Sequence, residues 1–165
     1  MTQLKQVIIY TDGSCIGNPG PGGYAAILKF AGRRKELSGG FKNTTNNRME
    51  IMAAIKGLEA LKEKCKVLLY SDSQYLVDCI NKGWVQRWRA NGWKRNKKEY
   101  AQNVDLWKRL LELCAQHQVE FKWTRGHVGT VENERCDQLA NLAANQPDLP
   151  EDKSCDDPSA SNLFD

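Results

Sequence analysis

Four carboxylates in this chain stand where side-chain chemistry could converge. Asp12 follows the apolar run Val7-Ile8-Ile9-Tyr10, and Asp72 follows Val67-Leu68-Leu69-Tyr70. Each has a hydroxyl residue before it and a small residue after it. Glu50 comes one residue before Ile51 opens an apolar stripe, and Asp137 comes directly after Cys136 on another. Any one of these acids alone reads as a turn former, a helix cap or a surface group. Two aspartates at the carboxyl ends of buried strands are a different matter, because ligands bind at that edge of open α/β sheets. Neighbouring strands would bring the two charges within ångströms, where they need a cation or a shared proton. An all-oxygen ligand set suits Mg²⁺ or Mn²⁺ rather than zinc. A pair of such ions clamps the attacking and leaving oxygens of a phosphodiester during in-line displacement. His127, in the glycine-bounded loop Gly126–Gly129, could move protons or hold a water near such ions. A plain surface histidine is the alternative there, and His117 reads as surface.

The elements that must position these groups follow from patterning. Val7–Tyr10, Tyr24–Phe30 and Lys35–Phe41 read as strands, with turn chemistry at residues 17–23 and a tight turn at Gly32-Arg33. Thr44-Thr45-Asn46-Asn47 supplies helix N-cap residues, and Ile51, Ala54, Ile55, Leu58 and Leu61 recur at helical spacing. Val67–Tyr70 is a further strand, followed by a short helix from Gln74 to Ile80. Val104–Cys114 is helical, Val119–Trp123 is a last strand, and a final helix capped near Thr130 buries Cys136, Leu139, Ala140 and Ala143. The expected fold is α/β, one five-stranded mixed sheet flanked by helices. Its first three strands are antiparallel and the rest parallel through right-handed crossovers.

Residues 82–99 form a basic arm with seven Lys/Arg, one acid and three of the five tryptophans, Trp84, Trp88 and Trp93. A solvated basic helix docked by its tryptophans would look like this, and so would a surface that grips polyanions. Lys94, Arg95, Lys97 and Lys98 can neutralise phosphates, and exposed aromatics can pack on sugars or bases. Asn18, Thr45, Asn46, Asn47 and Gln74 are short polar groups near the carboxylates. They suit phosphate, ribose hydroxyls or minor-groove edges, or else capping and turn formation.

The whole chain has 165 residues, 41% hydrophobic and 27% charged, enough for one core. Residues 1–147 carry 23 Lys/Arg against 14 Asp/Glu, a balance of +9, and are expected to form one catalytic domain. Residues 148–165 hold six acids and Lys153, a balance of −5, with few apolar residues, and are expected to form a disordered tail. No run approaches the roughly 18 apolar residues of a membrane span, and the start lacks the apolar stretch of a signal peptide. A cytoplasmic, monomeric protein with six reduced cysteines and no membrane partner is expected.

The motifs Tyr10–Cys15, Gly17–Gly23, Thr44–Glu50, Ser71–Tyr75, Gly126-His127 and Glu132–Asp137 resemble those of bacterial-type ribonuclease H, type 1, in the same order. The resemblance runs from about Lys5 to Ala144 and includes the basic arm. It implies a ribonuclease H-like fold and an endonuclease that hydrolyses the RNA strand of RNA–DNA hybrids with two Mg²⁺ ions. Asp12, Glu50, Asp72 and Asp137 would be the metal ligands, and His127 the catalytic histidine. Cys15, Asn18, Thr45, Asn46, Asn47 and Gln74 would contact the hybrid, with Thr45 and Trp84 at a phosphate of the DNA strand. A superfamily nuclease acting on DNA, or a non-catalytic hybrid-binding module, are the alternatives, separable by substrate.

Overall fold

The computed structural model describes residues 3–125 and 131–152. The chain order is β1 (Lys5–Cys15), β2 (Gly20–Phe30), β3 (Arg33–Thr44), α1 (Asn46–Glu59), β4 (Cys65–Ser71), α2 (Gln74–Asn81), α3 (Trp84–Ala90), α4 (Val104–Gln116), β5 (Gln118–Trp123) and α5 (Val131–Ala144). The strands form one sheet in the order β3-β2-β1-β4-β5. Pairing of β1 with β2 and of β2 with β3 is antiparallel, whereas β1–β4 and β4–β5 are parallel, as patterning predicts. Ala31 and Gly32, both at positive φ, make the tight turn between β2 and β3.

The two faces of the sheet are covered differently. Val7, Ile9, Val67 and Leu69 bury against Ile51, Ala54, Ile55 and Leu58 of α1 and Leu110 of α4 in the main core. Each fully buried Leu or Ile there is worth about 1.5–3 kcal/mol. On the other face α5 closes a small cluster of Ala25, Ile27, Cys136 and Ala140. α5 lies so close to β2 that a Cβ on Gly23 would stand 2.1 Å from the Ala140 carbonyl oxygen. β2 begins at Gly20, inside a segment whose composition reads as turn; within it, the missing side chain of Gly23 makes room for α5.

Three expectations are corrected. Trp93 is a core residue, 4% exposed, at a φ of +66°, while Trp84 and Trp88 are half-buried against the core. His117 is buried, and its Nδ1 accepts the Cys65 backbone N–H at 3.1 Å, tying the end of α4 to the start of β4. Finally, the acidic segment does not leave the body at Asp148. Asp152 is buried and bonded to Thr44 and Arg48, because a buried guanidinium needs carboxylates more than the segment needs freedom. The five described cysteines are free thiols.

Candidate active site

The parallel ladder between β1 and β4 ends at Thr11↔Ser71, so Asp12 and Asp72 are the next residues on adjacent strands. β1 itself continues along its other edge, pairing Asp12 with Ala25 and running to Cys15↔Gly22, so Asp12 is inside a strand rather than at its end. Glu50 reaches the same place from α1. A Cβ on Gly13 would stand 2.5 Å from the Glu50 backbone nitrogen, so only glycine lets the helix approach the strand this closely. One ligand oxygen from each of Asp12, Glu50 and Asp72 falls within 4.8 Å of the others. Asp137, from α5, lines the same open hollow with Ser14, Cys15, Asn46, Asn47, Ser73, Gln74 and Tyr75.

Crowding of like charges sets the electrostatics. Burial, then the charge of Asp72, then Asp137 push the Asp12 carboxyl up to about 8, against the pull of the Gly13 N–H, which donates to its Oδ1 at 2.8 Å. Glu50 is raised well above the carboxylate range by burial, then by Asp12 and Asp72. Glu50 Oε1 and Asp72 Oδ1 are buried without a hydrogen-bond partner. Carboxylate oxygens from three residues gathered within 4.8 Å, in a cluster that also leaves two buried oxygens unpartnered, are what hard divalent cations take as ligands, so the residues present fit such ions.

The short polar candidates around the carboxylates, with Cys15, separate into two groups. Asn46, Asn47, Gln74 and Cys15 line the hollow. Thr45 and Asn18 instead support it: the Arg48 N–H donates to Thr45 Oγ1 at 3.2 Å, and the Asn46 N–H donates to Asn18 Oδ1 at 2.8 Å. Both satisfy orphan donors at the start of α1. In the arm, Trp84, Trp88 and Arg95 line a second hollow with Arg87 and Asn91. Arg95 pairs with Glu99, Lys94 sits 5.6 Å from the Tyr100 ring centroid, and Lys97 and Lys98 are exposed. Trp93 lies in the core and joins neither hollow. His127 lies outside the described residues.

Arg48 is the neighbour that sequence reasoning missed. It falls three residues before Ile51, in line with the buried stripe of α1, and a charge on such a stripe signals a buried ion pair. Tyr75 and Ser73, next to Asp72 and Gln74, were likewise passed over as site-lining groups.

A family model described as RNase H matches residues 4–145. The chain belongs to the RNase H family. Ribonuclease H of Syntrophus aciditrophicus is 68% identical over 148 residues, covering 90% of this chain and 86% of that relative. Ribonuclease HI of Synechocystis sp. is 57% identical over 147 residues, covering 88% and 92%. Among solved structures, LC9-RNase H1, described as a type 1 RNase H with the type 2 active-site motif, matches at a TM-score of 0.77 and 33% identity, covering 87% of this chain and 74% of that one. The chain is therefore of the bacterial type 1 RNase H kind. RNase H enzymes depend on divalent metal, which agrees with the acidic cluster at the sheet edge.

Proposed function

We propose that this protein is an endonuclease that hydrolyses the RNA strand of RNA–DNA hybrids, leaving 5′-phosphate and 3′-hydroxyl ends, with Mg²⁺ as its working ion and Mn²⁺ as a substitute. The observation that carries this reading is the cluster of Asp12, Glu50 and Asp72, with two buried oxygens unpartnered, at the sheet edge of an RNase H family chain. Asp12, Glu50, Asp72 and Asp137 hold the metal. When bound, two divalent ions supply a polarised water and charge compensation at the leaving 3′ oxygen. Asn46, Asn47 and Gln74, at the rim of the hollow, offer amides to ribose hydroxyls and minor-groove edges, and Cys15 packs beside them. This readout is of shape and backbone, so sequence preference is low.

Asn18 and Thr45 act by keeping the start of α1 in place for the hybrid. Trp84, Trp88 and Arg95 form an aromatic and cationic surface for the DNA-strand backbone, with Lys94, Lys97 and Lys98 adding charge. His127 holds or moves a proton at the leaving group, a role that rests on its place in the Gly126-His127 motif. No helix among the described residues is long and apolar enough to cross a membrane. A cytoplasmic monomer, with a catalytic unit extending to Asp152, completes the proposal. The test is incubation with labelled RNA–DNA hybrid, RNA duplex and DNA duplex, with and without Mg²⁺. Cleavage of the hybrid's RNA strand alone, abolished by EDTA, is expected; cleavage of DNA duplex with the hybrid untouched would overturn it.

A further inference from the structure

The end of the described chain runs back over the body as a strap. The Lys42 N–H donates to the Pro150 carbonyl at 2.7 Å, and a Leu149 methyl would stand 3.2 Å from a Cβ on Gly40. Asp152 closes the strap. Its carboxylate accepts Arg48 Nε–H at 2.7 Å, Arg48 Nη2–H at 3.0 Å and the Thr44 hydroxyl at 2.7 Å. Arg48 gives its remaining N–H groups to Asp105, at 3.0 and 2.7 Å, and to Asn103 Oδ1, at 3.3 Å. All five guanidinium donors are thus engaged in a site where Arg48 is 3% exposed.

Two further links lead from this node to the carboxylate hollow. Arg48 sits in the first turn of α1, between the Thr45 cap and Glu50, so fixing its planar fork fixes the turn that carries Asn46, Asn47 and Glu50. Asn103 also donates to the Tyr75 hydroxyl at 3.2 Å, and Tyr75 lines the hollow beside Gln74. The strap, the start of α1, the start of α4 and the wall of the hollow therefore share one hydrogen-bonded node.

We propose that Asp152 is a positioning residue for the active site, acting through Arg48 on Glu50 and through Arg48 and Asn103 on Tyr75. The inference rests on reading the carboxylate hollow as a metal-dependent active site. Opening the strap leaves two Arg48 donors unsatisfied, and the fork is then held from one side only, by Asp105 and Asn103. Glu50 is then no longer held at the spacing that lets it share a cation with Asp12 and Asp72. Groups that orient metal ligands from behind commonly govern metal affinity by tenfold or more.

The experiment uses the full chain and four variants: Asp152→Ala, Asp152→Asn, Arg48→Lys, and Glu151→Gln as a surface control. Calorimetric Mg²⁺ affinity, kcat and KM on hybrid, and melting temperature are measured where circular dichroism shows each variant folded. Asp152→Ala and Arg48→Lys are expected to weaken Mg²⁺ binding roughly tenfold and to lower kcat with it. Asp152→Asn, which keeps one acceptor, should fall between, and Glu151→Gln should match the parent protein. If Asp152→Ala does not fold, Asp152→Asn decides. A lower melting temperature with unchanged Mg²⁺ affinity, kcat and KM would reduce the strap to a stabilising contact and overturn the proposal. A parent protein that cleaves no hybrid would instead overturn the activity on which the proposal rests.

Discussion

Replacing Asp12 with Asn tests whether the carboxylate cluster is held together at a cost that only a cation relieves. Asp12 is buried beside Glu50 and Asp72, and burial, then the charge of Asp72, pushes its carboxyl up from 3.8 to about 8. The guanidinium of Arg48, two residues before Glu50, is engaged by Asp105, Asp152 and Asn103. A raised carboxyl favours the folded state at low pH, and that contribution is lost as pH rises from about 3.8 to about 8. At about 1.36 kcal/mol per unit, ionisation of the unfolded chain at pH 7 costs the metal-free fold up to about 4 kcal/mol. Asn cannot ionise, and its Oδ1 can keep the Gly13 N–H bond. With some relaxation of Glu50 and Asp72, the variant should be more stable by about 2–4 kcal/mol in EDTA at pH 7. The gain should shrink below about 1 kcal/mol at pH 4. Saturating Mg²⁺ should narrow the gap at pH 7, because metal binds the folded parent protein and stabilises it by mass action. Urea titrations at pH 4 and pH 7, with EDTA and with Mg²⁺, measure all three. A variant no more stable than the parent in EDTA at pH 7, or a gap equal at both pH values, would refute the reasoning.

Other expectations follow from single interactions. The lowered pKa of His117, caused first by burial and then by Lys64, means stability is present above about pH 6.5 and lost as pH falls below it. His117→Ala should cost about 1–3 kcal/mol by leaving the Cys65 N–H without its acceptor, read by denaturant titration at pH 7, and should flatten the dependence between pH 5 and 7. Trp93→Ala should cost about 3–5 kcal/mol of stability, with hybrid KM unchanged at temperatures where the variant stays folded. Neutralising Lys94, Arg95, Lys97 and Lys98 together should raise KM for long hybrids while largely sparing kcat. Every phosphate that is no longer neutralised flattens the log K against log salt slope by roughly 0.9. Arg95 already pairs with Glu99, so the drop should be less than four such steps; an unchanged slope would make the arm a solvated helix.

What the sequence made legible was local. Asp12 and Asp72 were visible because a buried strand ends its apolar run where its ligand-binding edge begins, and the ladder does stop at Thr11↔Ser71. Glu50 was visible through the helical stripe that follows it, and Thr45 through N-cap chemistry, which it performs. The misses were groups whose role depends on distant partners. Gly23 reads as part of a turn because local composition cannot reveal α5 lying against β2 there. Trp93 reads as a ligand-facing residue because a basic neighbourhood hides a core anchor at positive φ. His117 and Asp152 look exposed until β4 and Arg48, more than fifty residues away in each case, arrive to bond them.

The most direct test of the central claim is a Mg²⁺ titration of cleavage on a hybrid labelled separately on each strand, with the parent protein and Asp72→Asn side by side. RNA-strand products with 5′-phosphate and 3′-hydroxyl ends, a dependence on Mg²⁺ concentration, an intact DNA strand, and near-complete loss of cleavage in the folded variant are expected. Cleavage that persists in EDTA, or an Asp72→Asn protein as active as its parent, would contradict it.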